Sequence, residues 1–308
     1  MPGLSIVIKE QILKNLRLDR YVSEVLRVLS RSQLKARNLK AKINKKDVKL
    51  SHYVKQGDSL ELSWDEKEPD FIVPQDIPLE IIYEDENCVV VNKAQGMVVH
   101  PGAGNRQGTF VNALCFRKLN SGINFAGIRP GIVHRLDKET SGIIIAAYND
   151  ETHAFLAKQF LTRKTRKTYI AIIYGTPKEK TGRIETFIAR DPKNRKRFTV
   201  SSAGKTAVTF YKVIKTWENY SLVFLRPKTG RTHQLRVHMR FLGHPILGDP
   251  VYGCDDKKFK DTGLMLHSKK LEILLPGEEK PRVFSSNIPE RFLKIIKKLD
   301  REILANGK

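Results

Sequence analysis

The sequence predicts an α+β protein: a large domain on a mixed, mainly antiparallel sheet with flanking helices, preceded by a small basic helical domain. Three observations carry this. Runs rich in β-branched or aromatic residues, 88–92, 143–147, 168–174, 206–215 and 221–226, follow one another with few helices between them. The regular strand–helix alternation of a parallel sheet is missing. Ahead of these runs, residues 17–40 carry helical periodicity, and the segment 65–78, with three prolines and several acids, stands between the two regions.

Taken in order, Leu18, Tyr21, Val22, Val25, Leu26 and Leu29 recur at helical spacing and form one apolar stripe. Ser30-Arg31-Ser32-Gln33 fits a capping box and opens a second helix, which carries Arg31, Lys35, Arg37 and Lys40. Short strand-like pieces at 42–44 and 59–64 follow, with a Gly57-Asp58 turn. The expected domains are therefore 1–64 (core 17–62), a linker at 65–78, and 79–308. In the last of these, 206–215 alternates well enough to be half buried. Helices are expected at 152–161, at 232–242 ending on Gly243, and at 289–299, where Phe292, Ile295, Ile296 and Leu299 share a face.

The chain has 308 residues with 56 Lys and Arg against 33 acids, a formal net charge of +23. Such an excess attracts polyanions. No run of 18 apolar residues is present, and charge interrupts the N-terminal segment, so neither a membrane span nor a signal peptide is expected. Nucleic acid is the favoured partner. The three cysteines, Cys88, Cys115 and Cys254, are odd in number and far apart, which points to reduced thiols in a cytoplasmic protein. With no CxxC pair and no HExxH, no metal site is expected.

The densest chemical segment is Gly131-Ile132-Val133-His134-Arg135-Leu136-Asp137-Lys138-Glu139-Thr140-Ser141-Gly142, which runs into the apolar 143–147. A charged loop entering a buried strand holds a reactive group on a rigid scaffold. Asp137, between Arg135 and Lys138, should be an anion, which suits a nucleophile. A loop aspartate in a salt bridge or turn fits the spacing equally. His134-Arg135-Leu136-Asp137 lacks the Gly-rich loop, strand lysine and Asp-Phe-Gly of a kinase. In Thr229-Gly230-Arg231-Thr232-His233-Gln234-Leu235-Arg236, Arg231 is free to enter a cleft, and Arg236 and Arg240 read as a basic solvated face. Tyr169 follows a run of cations. It could stack on a base, although an ordinary core tyrosine fits its spacing better.

Residues 17–62 resemble an S4 RNA-binding domain at Arg17-Leu18-Asp19, Ser30-Arg31-Ser32 and Gly57-Asp58; where that family has Val-Asn-Gly, this chain has Ile43-Asn44-Lys45. Nearly the whole chain resembles the pseudouridine synthase family typified by the ribosomal large-subunit enzymes A, C and D, most closely the D type. HRLDKETSG at 134–142, TGRTHQLR at 229–236, Gly243-His244-Pro245 and Gly248-Asp249-Pro250-Val251-Tyr252-Gly253 carry the resemblance. Lys93-Ala94 departs from the usual Lys-Pro, at a place where no catalytic atom is expected.

The resemblance implies that Asp137 is the nucleophile. Tyr169 packs against the target uracil and takes part in removing the C5 proton, and Arg231 pairs with Asp137. Arg135 helps displace the flipped nucleotide, Leu235 lines the uracil pocket, and His134, Arg31 and Lys35 contact RNA. It further implies isomerisation of uridine to pseudouridine in structured, large-subunit ribosomal RNA, with tRNA as an alternative substrate, by a cytoplasmic monomer without a cofactor. A catalytically silent RNA-binding or ribosome-assembly protein is the rival from another class. An RNA hydrolase, which would release free uracil, is a third.

Overall fold

A computed structural model describes residues 2–12, 16–65, 72–102, 104–119, 131–260 and 262–306. The chain divides into two compact units, Met1–Phe71 and Ile72–Lys308.

In the first unit, β1 (Gly3–Val7), β2 (Lys40–Ile43), β3 (Lys46–Val48) and β4 (Ser59–Ser63) form an antiparallel sheet in the order β1-β4-β2-β3. The expected long first helix is instead a single α-turn, α1 (Leu18–Arg20), continued by a π-turn, Tyr21–Val25. Leu26 N–H reaches back five residues to the Tyr21 carbonyl at 2.9 Å. The wider turn changes the angular phase, so Val25 faces solvent while Leu18, Tyr21, Val22 and Leu29 stay buried. The capping box forms in part: Gln33 Oε1 accepts the Ser30 N–H at 2.8 Å, ahead of α2 (Arg31–Ala36).

The β2–β3 hairpin turns on Asn44 and Lys45, at φ of 50° and 65°. Two positive φ values at the centre of a two-residue turn match the right-handed twist of the strands, so a lysine occupies a conformation that glycine reaches more easily. Asn44 holds it: its Nδ2 donates to Asp58 at 2.9 Å and its Oδ1 accepts the Ser59 N–H at 2.9 Å. Of the two predicted RNA contacts here, Arg31 is exposed but donates to the nearly buried Asp19 at 3.1 Å, as Arg17 also does. Lys35 lies on α2, with its side chain outside the described residues.

The second unit holds β5 (Glu80–Glu84), β6 (Cys88–Lys93), α3 (Phe110–Leu119), β7 (Ser141–Ala147), α4 (Asp150–Leu161), β8 (Arg166–Tyr174), β9 (Thr181–Arg190), β10 (Phe198–Val200), β11 (Lys205–Thr216), β12 (Tyr220–Pro227), α5 (Gln234–Phe241), β13 (Leu266–Ile273), β14 (Arg282–Ser285) and α6 (Glu290–Asn306). Its sheet runs β10-β9-β11-β12-β8-β13-β7-β6-β5, with β14 also on β13. Every described pairing is antiparallel except β13 with β7, a parallel seam of two residue pairs, His267 with Ser141 and Ser268 with Gly142. The sheet is thus two antiparallel blocks joined at one short parallel contact.

β7 is buried along its whole length, as its apolar run implies. β13 escapes a pattern reading because a bulge between Ser268 and Lys270 interrupts the inside–outside alternation. The segment read as a linker is not a free connector from residue 72 onward. The Val73 carbonyl accepts from Asn112 Nδ2 at 2.8 Å, and the Gln75 N–H donates to the Asn112 carbonyl at 3.1 Å. Residues 66–71 lie outside the description. The helix α6 runs beyond the expected residue 299 because its last turns leave the core: Phe292, Ile295 and Leu299 are buried, whereas Ile303 and Leu304 are exposed. No helix among the described residues is long and apolar enough to cross a membrane.

Candidate active site

Residues 131–140 fold back along the far end of β7, the strand they precede. The Ala147 N–H donates to the Gly131 carbonyl at 2.8 Å, and His134 Nε2 accepts the Ile145 N–H at 3.1 Å. Glycine is required at both ends of this loop. At Gly131, with φ of 66°, a Cβ would meet the Ala147 carbonyl oxygen at 1.9 Å; at Gly142, with φ of 113°, it would meet that of Ser268 at 2.3 Å. The loop closes with the Thr140 N–H on the Asp137 carbonyl at 3.0 Å. Asp137 enters a cavity of about 850 Å³ between this loop, α4, β8 and the segment that opens α5.

That opening segment is tied down by Gln234. Its side-chain oxygen accepts from Thr229 Oγ1 at 2.7 Å and from the Arg231 N–H at 3.0 Å, and its amide nitrogen donates to the Val208 carbonyl at 3.0 Å. His233 sits at φ of 57°, so α5 begins only at Gln234, two residues after the sequence places it. The change of phase turns Arg236 inward. Far from lining a solvated face, it is 4% exposed. Asp249, whose side chain is wholly buried, grips Arg236 as a fork: Nε to Oδ2 at 2.8 Å and Nη2 to Oδ1 at 2.7 Å. The N–H groups of Val251 and Tyr252 also donate to Asp249, at 2.8 and 3.0 Å. The remaining nitrogen of Arg236, Nη1, lies 3.6 Å from Asp137.

His233 Nε2 lies 4.0 Å from the same carboxylate. Its Nδ1 is 3.0 Å from Tyr252 Oη, which already accepts the Phe198 N–H at 2.7 Å. The tyrosine proton is then available to Nδ1, which leaves the His233 hydrogen on Nε2, facing Asp137. Burial holds this imidazole below its ordinary pKa, although Asp137 pulls the other way. Tyr169, on β8, is 8% exposed and lines the same cavity. Burial raises its phenol well above the ordinary range, Asp137 adds to that, and a hydrogen bond with Ser268 opposes it. The phenol is therefore protonated at neutral pH.

Seven of the residues lining the cavity are Lys or Arg, and one, Asp137, is acidic. A single buried-edge carboxylate inside a cationic mouth is suited to meeting a polyanion and reacting at one point along it.

A sequence model of the RNA pseudouridylate synthase family matches residues 87–241, which span both walls of this cavity. A Borreliella burgdorferi protein named ribosomal large subunit pseudouridine synthase D is 49% identical over 287 residues, covering 90% of this chain and 88% of the relative. The chain belongs to the RNA pseudouridine synthase family. It isomerises uridine to pseudouridine in structured RNA. A second synthase D, from Zymomonas mobilis, is 38% identical and covers 97% of this chain and 98% of its own length. Among solved structures, human RNA Pseudouridylate Synthase Domain Containing 4 superposes with a TM-score of 0.58 at 28% identity, covering 72% of this chain and 93% of its own.

Asp137, Tyr169, Leu235, Arg135, His134 and Arg231 all line this same cavity. Their contacts differ from expectation in two cases. Arg231 is not paired with Asp137: its Nε donates to the Thr206 carbonyl at 3.0 Å, and the guanidinium at the carboxylate belongs to Arg236. His134, expected to contact RNA, meets the cavity as an uncharged ring held by the protein: burial pushes its imidazole down to about 3, Nε2 is engaged by Ile145, and the ring stacks on Phe160 with centroids 4.5 Å apart. It forms wall.

Sequence reasoning also missed what stands behind the loop. Lys93, fully buried, donates to the carbonyls of Ala94 at 2.8 Å, Met97 at 2.9 Å and Lys138 at 3.2 Å, the last lying in the Asp137 turn. Burial pushes its ammonium down to about 8, against the upward pull of Glu139 and Asp137. A lysine closing the apolar strand β6 was the available signal. No cluster of three or more His, Cys, Asp or Glu among the described residues could hold a metal ion.

Proposed function

We propose that the synthase modifies large-subunit ribosomal RNA, that Asp137 is its reacting carboxylate, and that residues 1–64 act as an S4-type RNA grip. The observation that carries this is the isolation of Asp137 as the one acid in a cavity rimmed by cations, steadied by a guanidinium that is itself clamped from behind. The names of the B. burgdorferi and Z. mobilis relatives support the choice of RNA.

The reaction breaks the C1′–N1 glycosidic bond, turns the uracil and forms a C1′–C5 bond; N1 gains a proton and C5 loses one. No electron is transferred and no water is consumed, so the chemistry calls for no cofactor. The target must leave its stack to reach Asp137. There the carboxylate attacks sugar or base, or assists departure of the base, while the closed pocket keeps water from the freed uracil. Leu235 and Tyr169 pack on the uracil; the phenol, protonated in the resting site, cannot begin as a base. Arg236 balances the charge of Asp137, the neutral His233 turns its Nε2–H toward it, and the exposed Arg135 fills the place of the flipped nucleotide. The three free cysteines fit a reducing, cytoplasmic setting.

Mapping pseudouridines in cells with and without the gene tests the substrate. Loss of one or more modifications from large-subunit RNA is expected; loss confined to a tRNA would overturn the assignment. Removing residues 1–71 is expected to weaken binding of a ribosomal RNA fragment by about ten-fold or more and to flatten the dependence of log K on log salt, because phosphate contacts are lost. Turnover of a short stem-loop should persist. An unchanged affinity and salt slope would remove the RNA-binding role from that unit.

A further inference from the structure

Side chains alternate across a strand, and Lys167 and Tyr169 of β8 face the reaction cavity, so Arg166 and Thr168 face the other side of the sheet. A second cavity of about 580 Å³ lies there, against Arg166, Thr168, Phe210, Arg226, Lys270 and Val283. Phe210 is 37% exposed, an aromatic ring left on an open sheet face. It stands directly opposite Arg226 on β12 and Arg183 on β9. Lys270 stands opposite Thr168.

The charges here are unbalanced. The one acid in the cavity, Glu272, is already paired with Arg166 at 3.2 Å. Arg226, Lys228 and Lys270 have no ion pair among the described residues, and all three border the cavity. The cavity also adjoins the first: Thr165, Lys167, Pro227 and Lys228, at the start of β8 and the end of β12, line both.

We propose that this second cavity binds an unpaired nucleotide that flanks the reacting uridine in the same RNA strand. Its base lies on Phe210, and its phosphates meet Arg226, Lys228 and Lys270. An aromatic face among unpaired cations is what single-stranded RNA needs: any base has a π-face to stack, and the backbone supplies the negative charge. The four residues shared with the reaction cavity put the occupant within reach of the strand that carries the target uridine, which favours a neighbouring nucleotide of the substrate over a separate molecule. The inference rests on the enzyme acting on RNA and adds a subsite outside the reaction cavity.

The test compares a stem-loop carrying the target uridine with the same stem-loop extended by single-stranded flanks. For the full-length wild-type protein, the flanks are expected to tighten binding about ten-fold, within the range that one base–aromatic stack supplies. Phe210→Ala should lose that gain, Phe210→Tyr should keep it, and Lys270→Glu, a surface change that does not depend on the packing of Phe210, should reduce it. Turnover of the unflanked stem-loop should be the same in all four proteins. That turnover reports the reaction itself, so its failure is distinguishable from failure of the subsite. The proposal is overturned if flanks give the wild type no gain, if Phe210→Ala keeps the gain, or if Phe210→Ala weakens both RNAs equally.

Discussion

Asp137→Asn should abolish pseudouridine formation while leaving RNA binding within about three-fold of wild type. The substitution keeps the shape of the side chain and removes its charge. Loss of a nucleophile lowers turnover by several orders of magnitude in enzymes where it has been separated from binding, so a fall of at least about a thousand-fold is expected. Binding should hold because the cavity carries seven cations and the variant removes its only acid. Folding should hold as well, because Arg236 keeps its fork with Asp249 when Asp137 is neutral. Release of tritium from RNA labelled at uridine C5 measures the chemistry, and filter binding measures the affinity. Tritium release near the wild-type rate would sink the assignment of Asp137.

Arg236→Ala should damage both stability and activity. It leaves Asp249 without its guanidinium at a site where the carboxylate side chain has no solvent exposure. Breaking a buried pair in this way destabilises by roughly 3–5 kcal/mol, because the surviving charge is left uncompensated. Urea denaturation should read this directly.

The pH dependence should also change sign. In the wild type, burial would raise the Asp249 pKa, but the bonds from Arg236 and from the backbone of Tyr252 and Val251 hold it below its ordinary value. Its stabilisation is therefore complete above the unfolded carboxylate pKa and lost as pH falls through the lower folded one. Without Arg236, burial dominates and the folded pKa rises above the unfolded value. Stability should then increase as pH falls from neutral toward 5. A variant that is as stable as wild type, or whose stability falls with pH in the wild-type manner, would show that the fork does not hold the site.

The legible parts of this protein were local. The loop from Gly131 to Gly142 announces itself by a charged turn running into a wholly apolar strand. The apolar stripe around Leu18 likewise marks a small helical core. What stayed hidden depends on backbone phase or on distance. A left-handed His233 delays α5 and turns Arg236 inward, where helical spacing had put it on a solvated face; the pairing of Arg231 with Asp137 rested on the family resemblance alone. The pairing of Arg236 with Asp249 joins a helix to a later loop, and no periodicity reports it. The bulge in β13 and the π-turn after α1 each shift the side-chain phase, so β13 went unread and Val25 was placed on the wrong face. Lys93 looked incidental because its acceptors are main-chain carbonyls, which sequence patterns do not mark.

The short parallel seam between β13 and β7 also decides how the reactive geometry is kept. Asp137 is carried by the block that contains β7, whereas Tyr169 and Arg236 are carried by the block that contains β8 and α5. The gap between acid and guanidinium is thus also the gap between two separately braced halves, set locally by a pair of rungs and by two side-chain bonds across them, Ser141 Oγ to His267 Nδ1 at 2.9 Å and Ser268 Oγ to the Ile143 carbonyl at 3.2 Å. Misplacement by about an ångström can lower a rate a hundred-fold. Changes near His267 or Ser268 therefore have leverage on the chemistry from outside the cavity, like a worn pivot that spoils the bite of a pair of pliers whose jaws are intact.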